Sequence, residues 1–347
     1  MGKIAFKSDA HSLITPEAIR GHRPDANIPA DMAELAAKRA QLELVLEIAR
    51  LGFAKKEPAA SIVSRLASQL HDLRVRTDPA IWRELVPLAQ QHRVAAYLLQ
   101  DPFTAWSFRK PRGYAGDAGL IDFLYKHPSV DYAVNSASDL GKEIYAYTSD
   151  AESSKAGRER RTILAETVDA TAARADGAEV LAIACGHMRE TELSQALKDG
   201  TLKRWIGLDQ DPISVATVNA HKAGAAVSAI EGSVRGILRR SYDLGSFDLV
   251  YAAGLFDYLP RKTGIRLVEK AVEFLKPGGE FLFANFSNEI TTDGYMESFM
   301  DWPLILRTAD DMLDIIDSAV DRNLFEIEVF YGANRNIVYG RVTKKAE

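Results

Sequence analysis

A single cysteine, Cys185, stands in the 347 residues of the chain. One thiol excludes an internal disulfide and any multi-thiolate zinc site, and is the usage expected of a reducing compartment. Long apolar runs are missing too. No stretch reaches the length needed to cross a bilayer, and the N-terminal "MGKIAFKSDAHSLITPEAIR" has no apolar signal core. A cytoplasmic protein without a membrane span is therefore expected. Excess positive charge is likewise missing: the net charge is -5, which offers no general attraction to a phosphate backbone. Nucleic acid is thereby set aside, leaving a small molecule as the natural partner, with a homodimer as the form of self-association considered. No Ser-His-Asp or Glu-rich hydrolase pattern appears. His187 has no companion at metal-ligand spacing, so no metal is expected.

What is present is an ordinary folding composition, 47% hydrophobic and 26% charged, in a chain long enough for two lobes. Residues 1–29 carry Pro16, Pro24 and Pro29 among scattered polar residues and read as an irregular arm. From residue 30 to about 150 the apolar residues recur at helical spacing, as in "MAELAAKRAQLELVLEIARL" and "ASIVSRLASQLHDL". Thr77 or Asp78 would cap a further helix that starts at Pro79. This lobe is expected to be all-α and to cover the substrate.

From residue 151 to 347 the pattern changes. Short apolar runs at 178–184, 202–209, 225–232, 247–254 and 279–286 are each separated by a helical segment. Strands of this kind, apolar along their whole length, form parallel sheets covered on both faces. The tail differs, because "LFEIEVFYG" and "NIVYGRVTK" are separated only by "ANR". Three residues cannot hold a crossover helix, so these two runs should pair antiparallel at the end of the sheet. The fold class is α/β: a Rossmann-like sheet of five parallel strands with an antiparallel C-terminal hairpin, preceded by the helical lobe.

Ligands of open α/β sheets bind beyond the carboxyl ends of the strands. The first strand runs into "ACGHMRE", where Gly186 lets the backbone approach a ligand; alone, this is equally a plain strand-to-helix turn. The second ends in "GLDQDP". Asp209 lies 23 residues after Gly186 and could accept hydrogen bonds from both hydroxyls of a ribose, while Asp211 reads as a cap for the helix opened by Pro212. Ser233 after the third strand is either a base-reading hydroxyl or a helix cap. Ala252, Ala253 and Gly254 leave room after the fourth.

Taken in order, "VLAIACG", "GLDQDP", "FDLVYAAGLFDYL" and "LKPGGEFLF" resemble the class I S-adenosylmethionine-dependent methyltransferases over roughly residues 155–343. The resemblance implies S-adenosyl-L-methionine as cofactor. It puts the methionine portion against Ala184, Cys185 and Gly186, the ribose on Asp209 with Gln210 beside it, and the adenine near Ser233, Val234, Ala253 and Gly254. The chain departs from the family pattern at Ala182, where an acid is usual, at Ala184 and Met188, where glycines are usual, and at Ser233, where another acid is usual.

Two further stretches are dense in groups that a site could use. "SFRKPRGYAGDAGLIDFLY" offers Arg112, Tyr114 and Asp117, and "GYMESFMDWPLILRT" offers Asp301, Trp302 and Arg307; Asn285 and Asn336 lie near strand ends. Tyr114, Asp117, Asn285 and Arg307 are the catalytic candidates, and Arg112, Asp301, Trp302 and Asn336 the substrate-binding ones. Equally, the first stretch reads as an interlobe hinge and the second as a surface helix. The pair of stretches is similar to a bacterial group of methyltransferases that make 3-hydroxy fatty acid methyl ester signals. That similarity implies methylation of a carboxylate oxygen in a biosynthetic pathway, with Arg307 or Arg112 holding the acid. Two rivals stay open: cyclisation of the cofactor or aminobutyryl transfer from it, and a non-catalytic binding partner whose cofactor pocket has decayed.

Overall fold

A computed structural model describes residues 32–221 and 226–346. The arm expected over residues 1–29 lies outside them. The described residues fall into two compact units, one made of 32–155 with 290–304, the other of 156–289 with 305–346 apart from the four undescribed positions. Among them, no helix is long and apolar enough to cross a membrane.

The first unit is helical. Its main helices are Met32–Ala54, Ala59–Val75, Pro79–Gln91, Pro102–Arg109, Ala118–Tyr125 and Asp139–Thr148. Several begin with an acid or hydroxyl that satisfies the free N–H groups of the first turn. Asp78, rather than Thr77, caps the helix opened by Pro79, accepting from Ala80 N at 2.7 Å. Ser138 accepts from Gly141 N at 3.0 Å. The helix Asp293–Phe299 also belongs to this unit, although in sequence it follows the fifth strand of the sheet. It lies so close to Ala59–Val75 that a Cβ on Gly294 would come within 2.5 Å of the Leu70 carbonyl carbon. Charged pairs fix it there: Asp293 meets His71 at 2.7 Å and Arg74 at 2.9 Å, and Glu297 accepts from Arg74 at 2.8 Å and Trp82 Nε1 at 2.7 Å.

Asp101 sits at the centre of the unit, fully buried. It accepts from Phe103 N at 2.9 Å, Thr104 N at 3.2 Å, Thr104 Oγ1 at 2.7 Å and Thr148 Oγ1 at 2.9 Å. Burial outweighs these donors and pushes its pKa up to about 6.

The second unit is built on a seven-stranded sheet in the order β3-β2-β1-β4-β5-β7-β6. The strands are β1 (Ala178–Ile183), β2 (Leu202–Asp209), β3 (Val227–Glu231), β4 (Phe247–Ala252), β5 (Leu275–Phe286), β6 (Phe325–Tyr331) and β7 (Ile337–Lys344). The first five pair parallel, and β7 lies antiparallel between β5 and β6. The parallel strands and the terminal hairpin stand where the hydrophobic pattern put them. One boundary moves: β5 starts at Leu275, not 279, and Gly278-Gly279 form an irregularity inside it, where the register against β4 shifts. Gly278 has φ 76°, and a Cβ on Gly279 would sit 2.9 Å from the Phe247 carbonyl oxygen. Phe256, Phe281 and Phe283 pack together in the core, which leaves the strand tips to polar and small residues. Since β2 and β4 flank β1 on opposite sides, the crevice of this topology opens at the carboxyl ends of β1 and β4.

Two outcomes follow. Gly294→Ala should destabilise the helical unit by about 1–3 kcal/mol, the cost of forcing an atom into filled space, read as a lower thermal midpoint. For Asp101 the folded state binds its proton more tightly than the unfolded state. Stability should therefore fall by about 3 kcal/mol as pH rises from about 4 to about 6, and flatten above that. Urea unfolding at a series of pH values should show this fall in the wild type and a smaller one in Asp101→Asn; Asp257, also pushed up to about 6, and Glu190, raised by burial, contribute in the same direction.

Candidate functional site

The first turn keeps a glycine-type backbone with one glycine. Ala184, Gly186 and Met188 have φ of 53°, 55° and 49°, three left-handed residues alternating along five positions. A side chain in that region costs roughly 1–2 kcal/mol. The surroundings hold it. Met188 is buried, and Gly207 of β2 makes room for it: a Cβ there would lie 2.6 Å from both Met188 Sδ and Cys185 Sγ. After the turn the chain forms a short 3-10 turn, Arg189–Glu192, in place of the helix expected from sequence.

Asp209 ties the tips of three strands together. Its Oδ2 accepts from Gly186 N at 2.7 Å, its Oδ1 accepts from Asp211 N at 2.8 Å, and its backbone oxygen accepts from Gly232 N at 2.8 Å. A carboxylate at a strand tip that anchors backbone N–H groups is also the kind of acceptor that takes hydrogen bonds from ligand hydroxyls. Asp211 caps the helix Pro212–His221, accepting from Ile213 N at 2.9 Å. Ala184, Cys185, Gly186, Gln210, Gly232, Ala253 and Gly254 are all half-exposed at the strand tips. Small residues there let a ligand lie directly on the backbone. Burial, reinforced by Asp209 and Glu190, raises the Cys185 thiol well above its usual range, so it stays protonated.

Ser233 is a helix cap: its hydroxyl accepts from Gly236 N at 3.2 Å, and its own N–H donates to the Tyr242 hydroxyl at 2.9 Å. Val234 is buried behind it. His187 is buried as well, with Nδ1 3.5 Å from Arg189 Nη2.

Sequence reasoning passed over Arg160, in the charged run "GRERR" of the helix before β1. It is buried, donates to the Ala253 carbonyl at 2.8 Å and stands 5.8 Å over the Phe286 ring, and a Cβ on Gly254 would meet its guanidinium at 3.7 Å. A guanidinium buried at a strand tip is the electrostatic feature of this end of the sheet. Two carboxyl groups feel it. Glu190 is raised by burial, while the Tyr251 hydroxyl that donates to it, and then Arg160 and Arg161, pull the other way. Asp257 is raised to about 6 by burial against the opposing charge of Arg160, and accepts from Phe286 N at 2.6 Å. Paired arginines in the helix ahead of the first strand are the signal that would have found this cluster.

Asn285 and Arg307 are brought together, but as framework. The Arg307 guanidinium donates to Asn285 Oδ1, to the Phe256 carbonyl at 2.6 Å and to the Leu259 carbonyl. Asn285, fully buried, donates to the carbonyls of Phe286 and Ile305, each at 2.8 Å. These bonds fix the loop after β4. Asn336 makes a local turn, its N–H 3.1 Å from Asn334 Oδ1 and its side-chain amide 3.0 Å from the Asn334 carbonyl.

The remaining candidates lie in the helical unit, where the two stretches paired from sequence do meet. Ser107 Oγ donates to the Met300 carbonyl at 2.7 Å, and Lys110 forms an ion pair with Asp301. Asp117 caps Ala118–Tyr125, accepting from Leu120 N at 2.9 Å and Trp106 Nε1 at 3.1 Å, with Arg112 Nε 3.9 Å away. Tyr114 is half-exposed between Gly113 and Gly116, whose φ values are 86° and 74°. Trp302 is buried.

Residues 180–279 match the methyltransferase domain family. The match covers β1 to the first part of β5 and so includes the turn, Asp209 and the β4 tip. It supports an enzyme, a methyltransferase, with S-adenosyl-L-methionine as its cofactor. No curated protein matches the chain. Among solved structures, a possible exported protein from Bordetella parapertussis is 17% identical with a TM-score of 0.54, over 92% of this chain and 98% of that one; the likeness is one of fold. The N-methyltransferase NodS from Bradyrhizobium japonicum WM9, in complex with S-adenosyl-L-homocysteine, is 18% identical with a TM-score of 0.40, over 64% of this chain and 99% of that one.

Gly207→Ala tests how the turn is held. The added methyl displaces Cys185 and Met188, and should destabilise the sheet unit by about 1–3 kcal/mol and weaken cofactor binding in calorimetry. Unchanged affinity would show that the cofactor does not depend on this turn.

Proposed function

We propose that the protein transfers the methyl group of S-adenosyl-L-methionine to a small-molecule acceptor, a carboxylate oxygen of a fatty or amino acid derivative. The observation that carries the cofactor part is the turn itself: three left-handed residues whose middle N–H is fixed to the aspartate at the tip of β2. When bound, the cofactor supplies an electrophilic methyl group on a sulfonium. The acceptor oxygen forms a bond to that carbon as the carbon–sulfur bond breaks, leaving S-adenosylhomocysteine. The protein contributes alignment and exclusion of water. In this reading Ala184, Cys185 and Gly186 lie along the methionine portion, Asp209 and Gln210 hold the ribose, and Val234, Ala253 and Gly254 border the adenine.

The choice of a carboxylate rests on the groups nearby. Glu190 and Asp257 are each tied to a protein donor, and Arg160 is a buried cation beside Gly254. The buried guanidinium supports an acid as the acceptor, and a carboxylate is already ionised at neutral pH and needs no base. A 3-hydroxy fatty acid falls within this class.

Asp209→Ala should weaken S-adenosyl-L-methionine binding by about 1–3 kcal/mol, measured by calorimetry. Unaltered binding would remove the ribose from this position. Incubation with a panel of acids, amines and alcohols should yield a methyl ester together with S-adenosylhomocysteine. Methylthioadenosine as the product would instead mean that the cofactor is used without methyl transfer.

A further inference from the structure

The helix Met32–Ala54 is apolar on two sides. One is filled, with Leu42, Val45, Leu46, Ala49 and Phe53 buried. On the other, Ala33, Ala37, Ala40, Leu44, Ile48 and Leu51 are exposed. They succeed one another in steps of three or four residues, the spacing that keeps side chains on one straight stripe. Leu44 is 62% exposed and Leu51 41%. Lys38 Nζ donates to the Arg76 carbonyl at 2.6 Å, which brings the exposed Val75 close to the same helix. Single exposed leucines are ordinary on a protein surface; a row along a helix already packed on its other side is not.

The order of sizes along the stripe is informative. Its first half is alanine, and its second half is leucine and isoleucine. If a second copy is laid antiparallel, with the two-fold axis at residue 42, every large residue faces a small one. Leu44 meets Ala40, Ile48 meets the Ala36–Ala37 pair, and Leu51 meets Ala33. The charges along one flank agree with this arrangement. Within one helix Arg39 pairs with Glu43 at 2.9 Å and Arg50 with Glu47 at 2.6 Å, and the same axis brings Arg39 of one copy beside the Glu43 to Glu47 stretch of the other, so that opposite rather than like charges meet. A parallel arrangement would oppose Leu44 to Leu44 and Arg39 to Arg39. A self-complementary patch of this kind is what a closed two-fold dimer requires.

We propose that this stripe is a dimer interface, closed by a second copy of the chain packed antiparallel, helix against helix. Sedimentation velocity of the full chain over the micromolar range should show a dimer. Leu44→Glu combined with Ala40→Glu should sediment as a monomer, with unchanged circular dichroism and thermal midpoint, because both positions are exposed on the stripe. Cross-linking reads the orientation. With a bis-maleimide spanning about 10 Å, Ala40→Cys should couple two copies. Ala33→Cys should not, its two equivalents lying ~27 Å apart along the helix axis at 1.5 Å per residue. The wild-type chain, whose one thiol is Cys185, measures the background. A wild-type monomer throughout the range would overturn the proposal and leave the stripe to a different protein or to the segment before Met32. So would a dimer that survives the double substitution, or equal cross-linking at Ala33 and Ala40.

Discussion

The carboxylate of Asp209 is the constraint on which the ligand end of the sheet depends. A parallel sheet leaves its strand tips as separate loops, each with backbone groups that lack partners. Here one buried side chain accepts from the tip of β1 and from the start of the loop after β2, while its own backbone oxygen takes the N–H at the end of β3. Three loops thus move as one. The arrangement also keeps the first turn in a conformation that two of its residues would not choose. Ala184 and Met188 carry left-handed strain, and Gly207 gives their neighbours the space that makes it tolerable.

Charge is distributed along the sheet in a way that separates structure from chemistry. At the amino ends of the strands Glu179 is surrounded by Lys203, Arg204 and Lys276. Burial works against its ionisation, yet the three cations hold its pKa at about 2. At the carboxyl ends the balance is reversed: the carboxyl groups of Glu190 and Asp257 are raised by burial, with the guanidinium of Arg160 among them. Buried carboxyl groups with shifted pKa values beside a buried cation are the kind of cluster that gathers at functional sites, whereas the saturated cluster at the other end holds the strands in place.

Much of this was legible in the sequence. The period of the apolar residues distinguishes the helical lobe from the sheet, and the three-residue gap between β6 and β7 forces their antiparallel pairing. The spacing from Gly186 to Asp209 marks two strand tips that the structure joins by a hydrogen bond. Other features depend on tertiary contacts that no local pattern encodes. Arg160 reads as one charge in a solvated run until the helix is seen to bury it against Ala253. Arg307 and Asn285 carry the functional groups of a binding site, but carbonyls within the fold take up their donors. Asp293–Phe299 follows β5 in sequence, yet its acids find Arg74 and His71 in the helical unit. The turn was legible in position but not in conformation, since neither alanine nor methionine signals a left-handed backbone.

The most direct measurement is a crystal structure grown with S-adenosylhomocysteine. The account predicts the nucleoside at the carboxyl ends of β1, β2 and β4, with both ribose hydroxyls on the Asp209 carboxylate and the amino acid portion along residues 184–186. A nucleoside bound elsewhere, or strand tips closed by side chains at saturating ligand, would contradict it.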